Sequence, residues 1–197
     1  MTKMRIVFAA MVAAILSVSL VAPAAAARIY NFDTNTWEDA SQVKARTKRG
    51  SSIPKEIVAY ETSLKPGTIV VETSERRLYL VLDDGKAMKY GIGVGRDGFR
   101  WSGQHTITRK AEWPGWTPPA QMRKRVPDLP AYMPGGPDNP LGARAMYIGS
   151  TLYRIHGTSE PWTIGQAVSS GCIRLTNEDV TDLYDRVKVG ALVVVHQ

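Results

Sequence analysis

Arg77-Leu78-Tyr79-Leu80-Val81-Leu82-Asp83-Asp84-Gly85-Lys86-Ala87-Met88-Lys89-Tyr90-Gly91-Ile92 reads as two β-rich runs joined at an Asp-Gly pair. Asp-Gly between such runs is a strong hairpin signal, because these residues accept the positive φ that a tight turn demands. Outward from this hairpin, residues 67–72 form a short β-rich run and residues 105–110 a further strand candidate. Residues 145–148 and 152–155 make a second strand pair around Gly149-Ser150, and residues 191–195 a closing strand. Only one clear helix is legible. Thr176 caps it, Asp179 takes the box position, and Glu178 stands in the first turn, where acids suit the helix dipole. Val180, Leu183, Tyr184 and Val187 recur at helical spacing and form its buried face, with Gly190 ending the region. The fold class is mainly β, in a single domain.

The ends and the composition set bounds. Residues 1–27 read as a signal peptide: Lys3 and Arg5, then an apolar stretch from Ile6 to Val21, then a run of small residues suited to cleavage. That apolar stretch is short for a membrane span of about 20 residues, and no later stretch is long and apolar enough. The net charge is +7, and losing the two charges of Lys3 and Arg5 leaves +5. A basic exported protein suits anionic surroundings such as cell-wall polymer or a membrane surface. Nucleic acid is not expected, since the compartment is wrong and no aromatic-plus-basic motif appears. Residues 28–56 are polar and read as a flexible arm, which leaves 57–197 as the domain proper. Residues 113–142, dense in Pro, Gly and Trp, read as a long surface loop of the kind that often serves as a lid or binding segment.

The single cysteine, Cys172, lies in Ser169-Ser170-Gly171-Cys172-Ile173-Arg174-Leu175, 16 residues after His156 in Ile155-His156-Gly157-Thr158. Exported proteins usually pair their cysteines, so a lone one is either an inert buried thiol or a reactive one. A histidine within hydrogen-bond reach can take the thiol proton and return one to a leaving amine. Ser170-Gly171-Cys172 offers consecutive backbone N–H groups for an oxyanion, with Gly171 permitting a tight turn. No acid adjoins His156, so a backbone carbonyl such as that of Gly157 is the natural orienter of its ring. His105, His156, His196 and Cys172 do not match zinc spacing, so neither metal nor cofactor is expected.

These motifs closely resemble the signature of the L,D-transpeptidase catalytic domain, the YkuD type. The resemblance extends to residues 66–71, 78–81, 91–96, 116–122 and 139–142, and covers about residues 57–196. It implies a β-sandwich or barrel with one clear helix after the cysteine. It further implies attack of Cys172 on the bond between the third residue of a peptidoglycan tetrapeptide stem and its terminal D-alanine. A thioester would follow, to be resolved by an amine of another stem, of a D-amino acid or of an outer-membrane protein. His156 matches the family base, Gly157 the orienting carbonyl, and Gly171 with Cys172 the oxyanion turn. The location implied is the periplasm or cell surface, and carbapenems are expected to acylate the thiol. Two departures stand out. Many members carry histidine where this chain has Ser170, and Trp101-Ser102-Gly103 replaces a common Thr-Pro-x-Gly segment.

Other residues admit two readings each. Arg174 could grip a stem carboxylate, or form a salt bridge to Glu178 or Asp179. Ser169 could bond within the site or only shape the turn. Tyr147 and Tyr153, on strands leading to His156, could face the cleft or fill the core. Trp113, Trp116 and Trp162 could line a groove or pack under the loop. His105 reads as structural and His196 as part of a frayed end. Rival functions are a cysteine cell-wall hydrolase and an inactive cell-wall-binding module. Papain-like enzymes place cysteine before histidine, and sortases place their arginine a further strand away, unlike Arg174.

Overall fold

The computed structural model describes residues 28–31, 36–47, 51 and 53–197, so residues 1–27, expected to be a signal peptide, lie outside the described residues. In chain order the elements are β1 (Arg28–Asn31), β2 (Thr36–Asp39), α1 (Ala40–Thr47), β3 (Glu56–Ala59), β4 (Ile69–Glu72), β5 (Arg77–Val81), β6 (Lys86–Gly91) and β7 (Val94–Gly95). There follow β8 (Gly103–Glu112), α2 (Ala120–Arg125), β9 (Arg144–Ile148), β10 (Arg154–His156), a 3-10 turn at Pro161–Thr163, β11 (Ala167–Ser169), β12 (Ile173–Arg174), α3 (Asn177–Arg186) and β13 (Leu192–His196).

Nine strands form one sheet in the order β12-β10-β9-β8-β13-β4-β5-β6-β3. The expected hairpin is β5–β6, with Asp84 at φ 59° and Gly85 at φ 64°, the left-handed pair that the Asp-Gly signal supplies. Gly93, just beyond β6, bridges Arg174 of β12, so the chain after one flank of the sheet meets the opposite edge and the sheet curls toward closure. This is the mainly β, barrel-like architecture expected.

The closing strand does not lie at an edge. β13 sits mid-sheet, parallel to β4 and antiparallel to β8. Val193 and Val195 join Ile69, Val71, Leu78 and Leu80 in the core. His196 is correspondingly not frayed: its ring meets Glu72 at 2.7 Å, and its carbonyl accepts from the N–H and hydroxyl of Thr73.

Helix α3 follows the sequence closely. Thr176 Oγ1 accepts from the Asp179 N–H at 3.0 Å, and Val180, Leu183 and Val187 are buried. Two side chains from the sheet hold the helix in place. The Tyr90 hydroxyl bonds Asp182 at 2.6 Å, and Lys110 Nζ donates to the carbonyls of Tyr184 and Val187 at its C-terminal end. The helix is thereby tied to β6 and β8.

The polar arm contains elements the sequence does not announce, namely the β1–β2 hairpin and α1. Trp37 packs against a small cluster of Trp116, Leu129 and Leu141, and Ile53 lies against Gly91 and Gly165. Such short polar segments have no strong periodicity, and their tertiary contacts are what a local reading lacks.

Candidate active site

The catalytic motifs meet because β10 and β12 are adjacent and parallel, with Ile155 opposite Ile173 and His156 opposite Arg174. Extending that ladder by one residue sets Cys172 beside Arg154, two positions from His156. The thiol itself lies 3.9 Å from the Leu152 carbonyl. Leu175 N–H donates to the His156 carbonyl at 2.9 Å and locks this register. Cys172 and His156 both line a cavity of about 390 Å³.

His156 is buried, and its Nδ1 lies 2.6 Å from the Gly157 carbonyl. The carbonyl can only accept, so Nδ1 carries the proton and Nε2 is left as the basic nitrogen. Burial first, then the nearby Arg174 and Arg154 guanidiniums, push the imidazole pKa down to about 3 against the opposing effect of the Gly157 carbonyl. The ring is therefore neutral at neutral pH. A side chain on Gly157 would collide with Asn177 Oδ1, which also accepts from the Ala143 N–H at 2.9 Å. Asn177, at the start of α3, thus ties the helix to the backbone leading into β9 and lies close against Gly157, a contact that no spacing in the sequence reveals.

The cysteine turn is tied internally. Ser169 Oγ donates to the Cys172 carbonyl at 2.6 Å and accepts from the Gly171 N–H at 3.2 Å. Of the expected oxyanion donors, the Gly171 N–H is thus engaged within the turn, whereas the N–H groups of Ser170 and Cys172 make no hydrogen bond among the described residues. Ser169 is buried and shapes the turn while also lining the cavity. Cys172 is partly exposed, and Ser170 lines the cavity beside it. Gly171 has φ +104°, and a Cβ there would strike the Tyr153 ring.

Arg174 also lines the cavity, but its guanidinium lies 3.6 Å from Glu160, with both side chains buried. The salt bridge weighed from sequence exists with Glu160, not with Glu178 or Asp179. Glu160 approaches through the 3-10 turn, far from Arg174 by local spacing. The two tyrosines diverge. Tyr153 lines the cavity, whereas Tyr147 does not and lies under the Arg109 guanidinium at 3.6 Å. Of the tryptophans, Trp116 lines the cavity, while Trp113 is exposed and outside it.

The opposite wall comes from the long loop, through Trp116, Pro119, Met122, Arg125, Pro140 and Leu141. Leu152 and Arg154 complete the rim by Cys172. Among the described residues no group of three or more His, Cys, Asp or Glu could hold a metal, and no helix is long and apolar enough to cross a membrane.

A curled β sheet that presents a thiol and a backbone-anchored neutral imidazole in one cleft defines a class: thiol–imidazole sites on a mainly β scaffold. Within it, residues 66–195 match the YkuD family, the L,D-transpeptidase catalytic domain. The chain belongs to that family. It is 43% identical over 155 residues to the Escherichia coli protein named "Probable L,D-transpeptidase ErfK/SrfK", covering 74% of this chain and 49% of that one. It is 40% identical over 151 residues to E. coli "Probable L,D-transpeptidase YbiS", covering 72% and 48%. The chain thus spans about half the length of these curated relatives. Among solved structures, L,D-transpeptidase 3 of Mycobacterium tuberculosis, in complex with a faropenem-derived adduct, shares the fold at TM-score 0.53 and 20% identity, covering 66% of this chain and 60% of that one. A Brucella melitensis structure described as a probable carnitine operon oxidoreductase is 46% identical at TM-score 0.52, covering 77% and 98%.

Proposed function

We propose that this chain is an exported peptidoglycan L,D-transpeptidase acting on tetrapeptide stems. The observation that carries the reading is the His156 ring, buried and fixed through Nδ1 to the Gly157 carbonyl, in the same cavity as Cys172. A neutral imidazole with Nε2 unprotonated is the form that can accept a thiol proton.

In this mechanism His156 Nε2 takes the proton of Cys172 as Sγ adds to the carbonyl carbon of the third stem residue. The oxyanion forms against the Cys172 N–H. Collapse breaks the bond to D-alanine, whose amine leaves with the proton held by His156, and a thioester remains. An acceptor amine then adds to that carbonyl, gives its proton to His156, and expels the Cys172 thiolate. Gly157 serves through its carbonyl, Gly171 and Ser170 through the turn, and Ser169 by holding it. The cationic rim at Arg125 and Arg154 suits a stem peptide that carries carboxylates. Arg174, paired with Glu160, acts on the charge of His156 more than on substrate.

Residues 1–27 serve as the export signal, 28–56 as an N-terminal arm and 57–197 as the catalytic unit, with the protein working at the cell wall in the periplasm or cell surface. The acceptor is another stem, a D-amino acid or an outer-membrane protein. Mass spectrometry of tetrapeptide muropeptides incubated with mature protein, beside Cys172→Ala, tests the reading. Loss of D-alanine with a 3→3 dimer, absent in the variant, is expected. D-alanine loss without a dimer would indicate hydrolysis or a different acceptor. No change would leave a wall-binding module.

A further inference from the structure

Trp101 occupies the segment that departs from the family pattern, and it reaches the nucleophile turn directly. Its indole Nε1–H donates to the Gly171 carbonyl at 2.8 Å. Its ring stacks on Tyr153, with centroids 4.5 Å apart and planes inclined by 2°. Tyr153 in turn lies over Gly171, where there is no room for a Cβ. His105, on β8, meets the other ring edge-on at 5.7 Å and supports the stack. Trp101 stands just before β8, so the sheet itself anchors this contact.

The Gly171–Cys172 peptide is planar and trans, so its carbonyl and the Cys172 N–H lie in one plane and point in opposite directions. Holding the carbonyl fixes the direction of the N–H. A hydrogen bond to the carbonyl also polarises the amide and strengthens its N–H as a donor. The Cys172 N–H is a donor the turn leaves unengaged and the one on the nucleophile itself, whereas Ser169 Oγ occupies that of Gly171. We infer that Trp101 is a positioning residue that presets the Cys172 N–H as oxyanion donor, gripping the far end of its peptide plane while stacking on Tyr153. Tryptophan suits the task because it joins a broad flat face to an N–H; phenylalanine lacks the donor. The inference rests on the transpeptidase reading, since only attack on a carbonyl creates an oxyanion.

Two reactions of the same thiol separate the roles. Alkylation by iodoacetamide forms no oxyanion, whereas acylation by a tetrapeptide-stem muropeptide does. For Trp101→Phe, single-turnover acylation followed by intact mass is expected to slow about tenfold or more, since removing a whole oxyanion donor costs about 10²–10³. The alkylation rate and its pH profile should stay within about twofold of wild type. Site-specific benzothienylalanine at position 101 keeps the bicyclic shape without the N–H, and should reproduce the defect if the smaller phenylalanine unfolds the turn. Wild-type acylation rates in both variants would overturn the inference. Acylation and alkylation slowing together would also overturn it, as loss of turn structure. Wild-type protein that alkylates but never acylates would sink the transpeptidase reading itself, and this inference with it.

Discussion

The two walls of the cavity are built by opposite means. One is the β10–β12 ladder with its turn, where the carbonyls of Cys172, Gly157, His156 and Gly171 are each engaged, by Ser169 Oγ, the His156 ring, the Leu175 N–H and the Trp101 indole respectively. The other is the 113–142 segment, which has one six-residue helix and a small cluster around Trp116, Leu129 and Leu141. Reacting atoms need fixed geometry, so the proposed chemistry is assigned to the bonded wall. The loop wall supplies apolar surface and the Arg125 charge, and under the proposed function it selects the peptide more than it sets the rate.

Changes on the two walls should therefore separate rate from affinity. The largest effect is expected at Gly171→Ala, where φ +104° and the Tyr153 ring both oppose a side chain. Displacing the turn should lower acylation by about 100-fold or more, as loss of an oxyanion donor does, read in single turnovers. Trp116→Ala on the loop wall should raise KM several-fold with a much smaller change in acylation rate. It should also cost about 3 kcal/mol of stability by chemical denaturation, the ordinary cost of emptying a buried aromatic site. A Trp116→Ala protein with wild-type KM and a slow acylation step would reverse the assignment of the walls.

The pH dependence follows from His156. Its folded pKa, about 3, lies below the unfolded value of 6.5. The unfolded chain then binds the extra proton between those values, so stability contributed by this group is complete above pH 6.5 and is lost as pH falls toward 3. The slope reaches about 1.4 kcal/mol per pH unit at most. Thermal melts of wild type and His156→Gln across this range should diverge from such a slope, and parallel curves would contradict the buried neutral ring. The smallest effect is expected far from the cavity. Lys110→Met removes two hydrogen bonds to the end of α3 and should cost about 1–2 kcal/mol while leaving acylation within twofold.

Local signals were legible in the sequence because local contacts decide them. Asp84-Gly85, the Thr176 cap, the buried face of α3 and the His156–Gly157 bond all join residues a few positions apart. What local sequence does not encode depends on distant pairing. β13 enters mid-sheet, Glu160 rather than Asp179 answers Arg174, and Trp101 reaches Gly171 across 70 positions. The departure at Trp101 was visible as a mismatch, but its meaning came from the far side of the turn.

The most direct test is intact-mass analysis of mature protein mixed briefly with a tetrapeptide stem, followed by hydroxylamine. The account predicts a covalent adduct of the stem minus D-alanine on Cys172, released by hydroxylamine as a thioester should be, and absent in Cys172→Ala. A thiol that iodoacetamide alkylates freely but that never carries this adduct would contradict it.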